Sequence, residues 1–313
     1  MSLETETLNA DANGVARAAR YLNNGALLAL PTETVYGLGA DARNARAVAR
    51  IFEAKGRPHF NPLIVHVPDA AAARELVAWP EAADRLAAAF WPGPLSLVLP
   101  IRPESGVAHL VTGGLQTLAV RVPAHPVAQD VLRAFGGPVA APSANPSGKL
   151  SPTTAAHVLS GLSGKIAAVL DAGACPIGLE STIVALTPVP RLLRPGGLPA
   201  DALEAALGLP LGGAGSGIEA PGQLASHYAP RAVLRLQVTD PRPEETVLGF
   251  GRVDSDLNLS PSGDLVEAAA NLFGHLHRLD ASETTAIAVT PIPESGLGRA
   301  INDRLRRAAA PRA

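Results

Sequence analysis

Cysteine, lysine and aromatic side chains are scarce in this chain. Cys175 is the one cysteine among 313 residues, which excludes an intramolecular disulfide and a zinc site built on cysteines. Alone, it reads as a small half-buried residue. There are three lysines, Lys55, Lys149 and Lys165, against 23 arginines. The 28 acidic residues slightly outnumber the 26 basic ones, giving a formal net charge of −2 and an isoelectric point near 6.5. A protein that coats nucleic acid carries a clear basic excess. Any anionic partner must here be met by a local cluster of charge. Aromatics make up 4% of the chain, too few for an extended base-stacking surface. Apolar stretches are short and broken by proline or glycine, too short to span a bilayer. The stretch MSLETETLNADANG has no basic segment followed by an apolar run, so no secretory leader and a cytoplasmic location are expected.

The chain is 47% hydrophobic and 17% charged, as in a globular protein large enough for one large or two ordinary domains. Val15, Ala18, Ala19 and Leu22 share one face of an expected helix over 11–24, capped by Asp11 or Asn13 and stopped by Gly25. A second helix over 44–54 turns Val48, Ile51 and Phe52 inward and stops at Gly56. Strands are expected at 26–30, 63–67, 95–99, 117–122, 139–141, 166–170, 182–186 and 191–193. Helices are expected near 69–78, 81–90, 125–135 and 153–160. This alternation predicts an α/β domain with a mixed sheet. From about residue 209 the string LGLPLGGAGSGIEAPGQLASHYAP loses all periodicity and reads as a linker. A smaller β/α pattern follows: strands at 232–236, 246–250 and 286–290, helices near 262–278 and 297–309. The expected units are therefore 1–208, a linker over 209–230, and 231–313.

No stretch matches a Walker phosphate loop. Ser143 stands where its first glycine belongs and Leu150 follows Lys149, while Gly161 to Lys165 has the wrong spacing. Gly37-Leu-Gly39-Ala-Asp-Ala42 imitates a dinucleotide fingerprint, but PTETVY separates it from its strand and no acidic residue near 60 fits the ribose. The stretch EAKGRPHFNPLIVHV (53–67) is more telling. A cation at a helix C-terminus accounts for Lys55 by itself. Yet Gly56 and Pro58 fix a turn in which Lys55, Arg57 and Asn61 can converge on one anion, pairing a mobile ammonium with a planar fork. PTETVY places polar side chains where a strand leaves a sheet. His66 and Arg121 intrude on apolar strands, and a charge there needs an anionic partner in a buried site or cleft. APSANPSGKLSPT (141–153) sets hydroxyls and an amide on a loop ending at a helix start, a place suited to an anion. GLESTIV and LLRPGG bring Ser181 and Arg194 to strand ends.

Taken in order, PTETVYGLGADA, KGRP with NPL and VH, LAVRVP, SANPSGKLSPT, GLESTIV and LLRPGG resemble the L-threonylcarbamoyladenylate synthases, built on the YrdC-like domain. The resemblance spans about residues 11–208. SHYAPR (226–231), followed by a small α/β unit, resembles the long two-domain form. The fold implied is a twisted, mixed, mostly parallel sheet with a concave positive face, plus a smaller Rossmann-like domain. The activity implied joins L-threonine, bicarbonate or CO₂, and ATP into threonylcarbamoyl-AMP, releasing pyrophosphate. A partner transferase then moves the threonylcarbamoyl group to the adenosine beside the anticodon of tRNA, which this chain need not bind itself. Mg²⁺ would accompany the nucleotide, with protein ligands unknown and no organic cofactor. By the resemblance, Lys55 and Arg57 carry the catalysis. Arg57, Asn61, Thr117, Ser143, Asn145, Ser151, Arg194 and the linker's Tyr228 hold ATP. Thr34, His66, Arg121, Ala141 and Ser181 surround the threonine. No nucleophilic side chain is needed, since a carbamate attacks the α-phosphorus and cations offset the repulsion. The other reading is an RNA-binding protein that uses the same concave face, and the near-neutral isoelectric point weighs against it. A linker of this specificity is expected to fold over the cleft as a lid, from about 218 to 230.

Overall fold

Asp11 starts the first helix by accepting a hydrogen bond from the Gly14 amide at 2.8 Å, and the chain leaves it through Gly25 at φ +69°. In this computed structural model the described residues are 4–215, 217–223 and 226–311. The first three residues of the stretch read for a leader, and positions 216, 224 and 225 of the expected linker and lid, lie outside them.

Strand β1 (Glu6–Asn9) leads through helix α1 (Ala12–Asn23) to β2 (Leu28–Leu30), β3 (Gly37–Asp41), α2 (Ala45–Lys55) and β4 (Ile64–His66). Next come α3 (Ala70–Leu76), α4 (Glu81–Phe90), β5 (Leu95–Pro100), α5 (His109–Thr112) and β6 (Thr117–Arg121). Then follow α6 (Pro126–Phe135), β7 (Val139–Ala140), α7 (Ala155–Leu162), β8 (Ala168–Asp171), β9 (Thr182–Ala185), β10 (Arg191–Arg194) and α8 (Ala200–Leu207). The remainder carries β11 (Val233–Arg235), β12 (Thr246–Gly249), β13 (Leu257–Asn258), α9 (Leu265–Ala281), β14 (Ala286–Val289) and α10 (Gly298–Ala309).

The first ten strands form one sheet in the order β1-β8-β2-β3-β7-β4-β6-β5-β9-β10, and the last four form a second in the order β11-β14-β12-β13. Among the described residues, seven of the twelve strand pairings are parallel, including all three in the smaller sheet. The five antiparallel ones lie in the large sheet, which is therefore mixed. The sequence suggested neither β1, β3 and β13 nor the helices α5 and α8. Strand β3 reads as a loop because of Gly37 and Gly39. A Cβ on Gly39 would lie 2.8 Å from a Leu30 methyl and 3.0 Å from one of Val139, so the glycine is what lets three strands close up.

The two faces of the large sheet are covered differently. Alternate residues such as Ala29, Val65, Leu97, Val120 and Val184 pack with α2 and α4 in one core. On the other face, Leu28, Val139, Ala168 and Leu170 pack under α1 and α6. Beyond them that face holds Ile64, Val98, Ala119, Ile183, Ala185 and Leu193, met by Ala220 from the segment after α8. His66 and Arg121 lie two residues on from Ile64 and Ala119, so strand alternation puts them on this same face, and neither belongs to the cores packed under the helices. Their polarity is what a site needs and what a helix-covered core would exclude.

The smaller unit is not detached. Val35, Leu150 and Leu179 share a core with Leu272, Phe273, Leu276, Ile301 and Leu305. A Cβ on Gly178 would lie 2.5 Å from the Ala269 carbonyl, so α9 sits directly on the backbone of the large unit.

Candidate active site

The turn after β2 is built on Thr32. Its hydroxyl accepts from the Thr34 and Val35 amides at 3.2 Å and lies 2.7 Å from the Thr34 hydroxyl. This holds Thr34 toward a cavity that Arg57, Ile64, His66, Arg121, Ala141, Ser143, Glu180, Ser181 and Arg194 also line. The segment after α8 closes it with Pro221, Gly222, His227 and Tyr228. Its free volume is about 40 Å³, room for about three water molecules.

Nine of the expected site residues line this cavity: Thr34, Arg57, His66, Arg121, Ala141, Ser143, Ser181, Arg194 and Tyr228. Five do not. Lys55 lies behind the wall, where its ammonium donates to the carbonyls of Ser143, at 2.5 Å, and Asn145. Burial first, and the Arg57 guanidinium second, push its pKa well below the usual lysine value. Asn145 is part of the same loop brace, its amide donating to the Pro146 and Lys149 carbonyls at 2.9 and 2.8 Å. Ser151 is buried, with its hydroxyl on Glu180 Oε1 at 2.5 Å. Asn61 is buried beside Arg57, which holds its carbonyl at 3.2 Å. Thr117 sits at the far end of β6, about 13 Å along the strand from Arg121.

The arginines are oriented by their own partners. Arg121 donates to Glu33 Oε1 at 2.5 Å, to the Thr34 hydroxyl at 2.9 Å and to the Gly93 carbonyl at 3.2 Å. Arg57 donates from Nε and one terminal nitrogen to the carbonyls of Asn61 and Pro62. Burial pushes its pKa down to about 10, which still leaves it charged near neutrality. Arg194 donates to the Ser181 carbonyl at 2.9 Å and to the Pro221 carbonyl at 3.1 Å, tying β10 to the covering segment. The histidines are neutral: burial, then Arg121, takes His66 to about 3, and burial takes His227 to about 3. Burial also pushes the Cys175 thiol up to about 12, so it is no nucleophile.

Three buried polar atoms of the cavity's lining have no protein hydrogen-bond partner, His66 Nδ1, Arg194 Nε and His227 Nδ1, and the same holds for Glu33 Oε2 and both side-chain atoms of Asn61, on residues bonded to Arg121 and Arg57. Buried polar groups are normally satisfied, so this concentration marks where a polar ligand fits.

Sequence reasoning missed Glu33 and Glu180. Each stands beside a residue that was singled out, Thr34 or Ser181, but spacing does not say which neighbour turns inward. It missed Arg304 as well. The signal was a charge at a position that α10 otherwise fills with Ala300, Ile301, Leu305 and Ala308.

A Sua5, YciO and YrdC family model, described as telomere recombination, matches residues 20–196, and a threonylcarbamoyl-AMP synthase C-terminal domain model matches 198–310. Threonylcarbamoyl-AMP synthase of Pyrococcus abyssi is 43% identical, over 93% of this chain and 92% of the relative. That of Bacillus subtilis is 39% identical, over 97% and 95%. The crystal structure of P. abyssi Sua5 complexed with L-threonine superposes with a TM-score of 0.90 at 40% identity, covering 97% of this chain and 98% of that one. With both units matched over nearly their whole length, and the motifs gathered around one arginine-lined cavity, this chain belongs to the threonylcarbamoyl-AMP synthase family.

Proposed function

We propose that this chain makes threonylcarbamoyl-AMP from L-threonine, bicarbonate and ATP, with both organic substrates in the cavity described. The observation that carries this is the convergence of Arg57, Arg121 and Arg194, all buried, on one small space. Isolated buried cations are costly, and three sharing a cavity suit an anion-rich reaction.

Arg121, Thr34, His66 and Ser181 form the threonine end. Arg121 keeps guanidinium donors beyond those on Glu33, Thr34 and Gly93, and these can take the substrate carboxylate. Arg57, Ser143, Arg194 and Tyr228 form the nucleotide end. The threonine nitrogen bonds to the carbon of bicarbonate, with loss of water, to give a carbamate. A carbamate oxygen then attacks the α-phosphorus and pyrophosphate leaves. Arg57 and Arg194 stabilise the charge on the phosphoryl oxygens, and catalysis rests on position and charge. Lys55 serves as a positioning residue that holds the Ser143 loop.

Mg²⁺ is proposed to arrive with the nucleotide. Glu180 is the carboxylate among the described lining residues, and both its oxygens are engaged, so the described residues offer no cage for the ion. About 40 Å³ does not admit ATP, so the covering segment has to swing away for the nucleotide to enter. Delivery of the product to a tRNA-modifying transferase in the cytoplasm completes the proposal. No helix of the described residues is long and apolar enough to cross a membrane.

Pyrophosphate release tests the assignment. It should require threonine and bicarbonate together and proceed without RNA. Release that ignores either substrate would refute it.

A further inference from the structure

Arg304 belongs to α10 in the smaller unit, yet its side chain is 0% exposed and reaches the wall of the cavity. Its Nε lies 2.7 Å from Glu180 Oε2, and one terminal nitrogen donates to the Pro195 carbonyl at 3.0 Å, next to Arg194. The other terminal nitrogen pairs with Asp303 at 2.6 Å. The guanidinium lies over the Tyr228 ring at 5.1 Å. From α9, His277 Nε2 lies 3.1 Å from the Ser151 carbonyl. The smaller unit thus holds the larger one at Glu180, Pro195 and Ser151.

Glu180 is the element that needs explaining. A carboxylate lining a site for a polyphosphate repels its ligand unless its charge is met. Ser151 takes one oxygen and Arg304 the other. Arg194, which also lines the cavity, attracts Glu180 as well. Without Arg304, Glu180 would face the nucleotide with Arg194 as its nearest remaining cation, and Arg194 would be drawn from the phosphates. We infer that Arg304 is a positioning residue of the nucleotide site, supplied by the second unit, which neutralises Glu180 and so leaves Arg194 set for the nucleotide. This rests on the proposal that ATP occupies the Arg57–Arg194 end of the cavity. It also gives the C-terminal unit a task in the reaction: its last helix carries a counter-charge that the larger unit lacks.

The test is a charge-rescue cycle in the full chain, with KM for ATP and for threonine read from pyrophosphate release. R304M should raise KM for ATP about tenfold while leaving KM for threonine within about threefold. E180Q/R304M, which removes both charges, should bring KM for ATP back to within about threefold of the unaltered chain. A residue that only holds the units together would move both KM values alike and gain nothing from E180Q, and that pattern would overturn the inference. Should R304M fail to fold, the double variant decides alone. Folded with a near-normal KM for ATP it supports the inference; folded with that KM still raised about tenfold, or unfolded, it overturns it. If the unaltered chain shows no threonine-dependent pyrophosphate release, the functional proposal fails by itself. Calorimetric titration of the same variants with a non-hydrolysable ATP analogue still measures the Glu180–Arg304 effect.

Discussion

Lys55 and Arg57 stand two residues apart at the end of α2, and their side chains go to different places. Arg57 faces the cavity, whereas Lys55 clamps two carbonyls of the loop behind it. Read from the sequence the two looked like equal partners on one anion, because a turn fixes where side chains start and not where long ones end. Substitution should separate the two roles. Arg57→Ala should lower turnover on the order of 10²–10³-fold with little change in melting temperature, as for a removed charge stabiliser. Lys55→Met should leave the Asn145 carbonyl without its donor and the Ser143 carbonyl with the Asn145 amide alone, cost about 1–3 kcal/mol of stability and act on turnover less. Melting curves beside turnover for both variants check this, and equal losses of stability would count against it. The intrusion of His66 and Arg121 on apolar strands was legible, because strand alternation fixes the face. Their partners were not. Glu33 meets Arg121 across 88 residues, and no local pattern encodes such a contact.

At the scale of elements, the helices with a cap and an apolar stripe could be read nearly to the residue. Asn44 caps α2 by accepting from the Arg46 and Ala47 amides at 3.1 Å, and Gly56 ends it at φ +60°. Strand β3, with Gly37 and Gly39, could not, since it owes its place to its neighbours and not to propensity. The segment after α8 was expected over the cleft, and its Pro221, Gly222, His227 and Tyr228 line the cavity. It runs across the face of the sheet that the helices leave bare. Tyr228 fixes it there, buried at φ +62°, with its ring 4.0 Å from that of His227 and 5.7 Å from that of Phe273. A non-glycine residue at positive φ is strained by about 1–2 kcal/mol, so packing must hold it. Tyr228→Ala removes that packing. Proteolytic cutting between 212 and 228 should then quicken on the order of tenfold as the open population grows. Cutting at the unaltered rate would mean that the ring does not hold the segment.

For the whole molecule, buried neutral histidines set the response to acid. His66 and His227 have pKa values near 3 where a free imidazole has 6.5, with burial the first cause in both. The unfolded chain takes up protons below pH 6.5 that the folded one refuses. Stability from this source is complete above about pH 6.5 and falls toward pH 3, by about 1.4 kcal/mol per unit for each histidine. Glu180, held near 2 against 4.5, adds its share only below pH 4.5. Urea midpoints at pH 7.5 and 5.5 should therefore differ clearly, and equal midpoints would show that these imidazoles are solvated. The two-unit layout was legible from the loss of periodicity near residue 209. That the second unit shares a core and a buried ion pair with the first was not, because both lie in tertiary contacts. The covered cavity, at about 40 Å³, has a consequence in the currency of populations. A ligand that needs the open form binds with its intrinsic affinity multiplied by the open fraction, so a form open about one part in a hundred weakens every such ligand about a hundredfold. Only a ligand whose contacts exceed the closing free energy shifts that balance. ATP, which on the proposed function spans Arg57 and Arg194 together, would have the contacts to do so. A lone phosphate ion, reaching one of them, would not, and on that proposal the segment would screen the site against small anions.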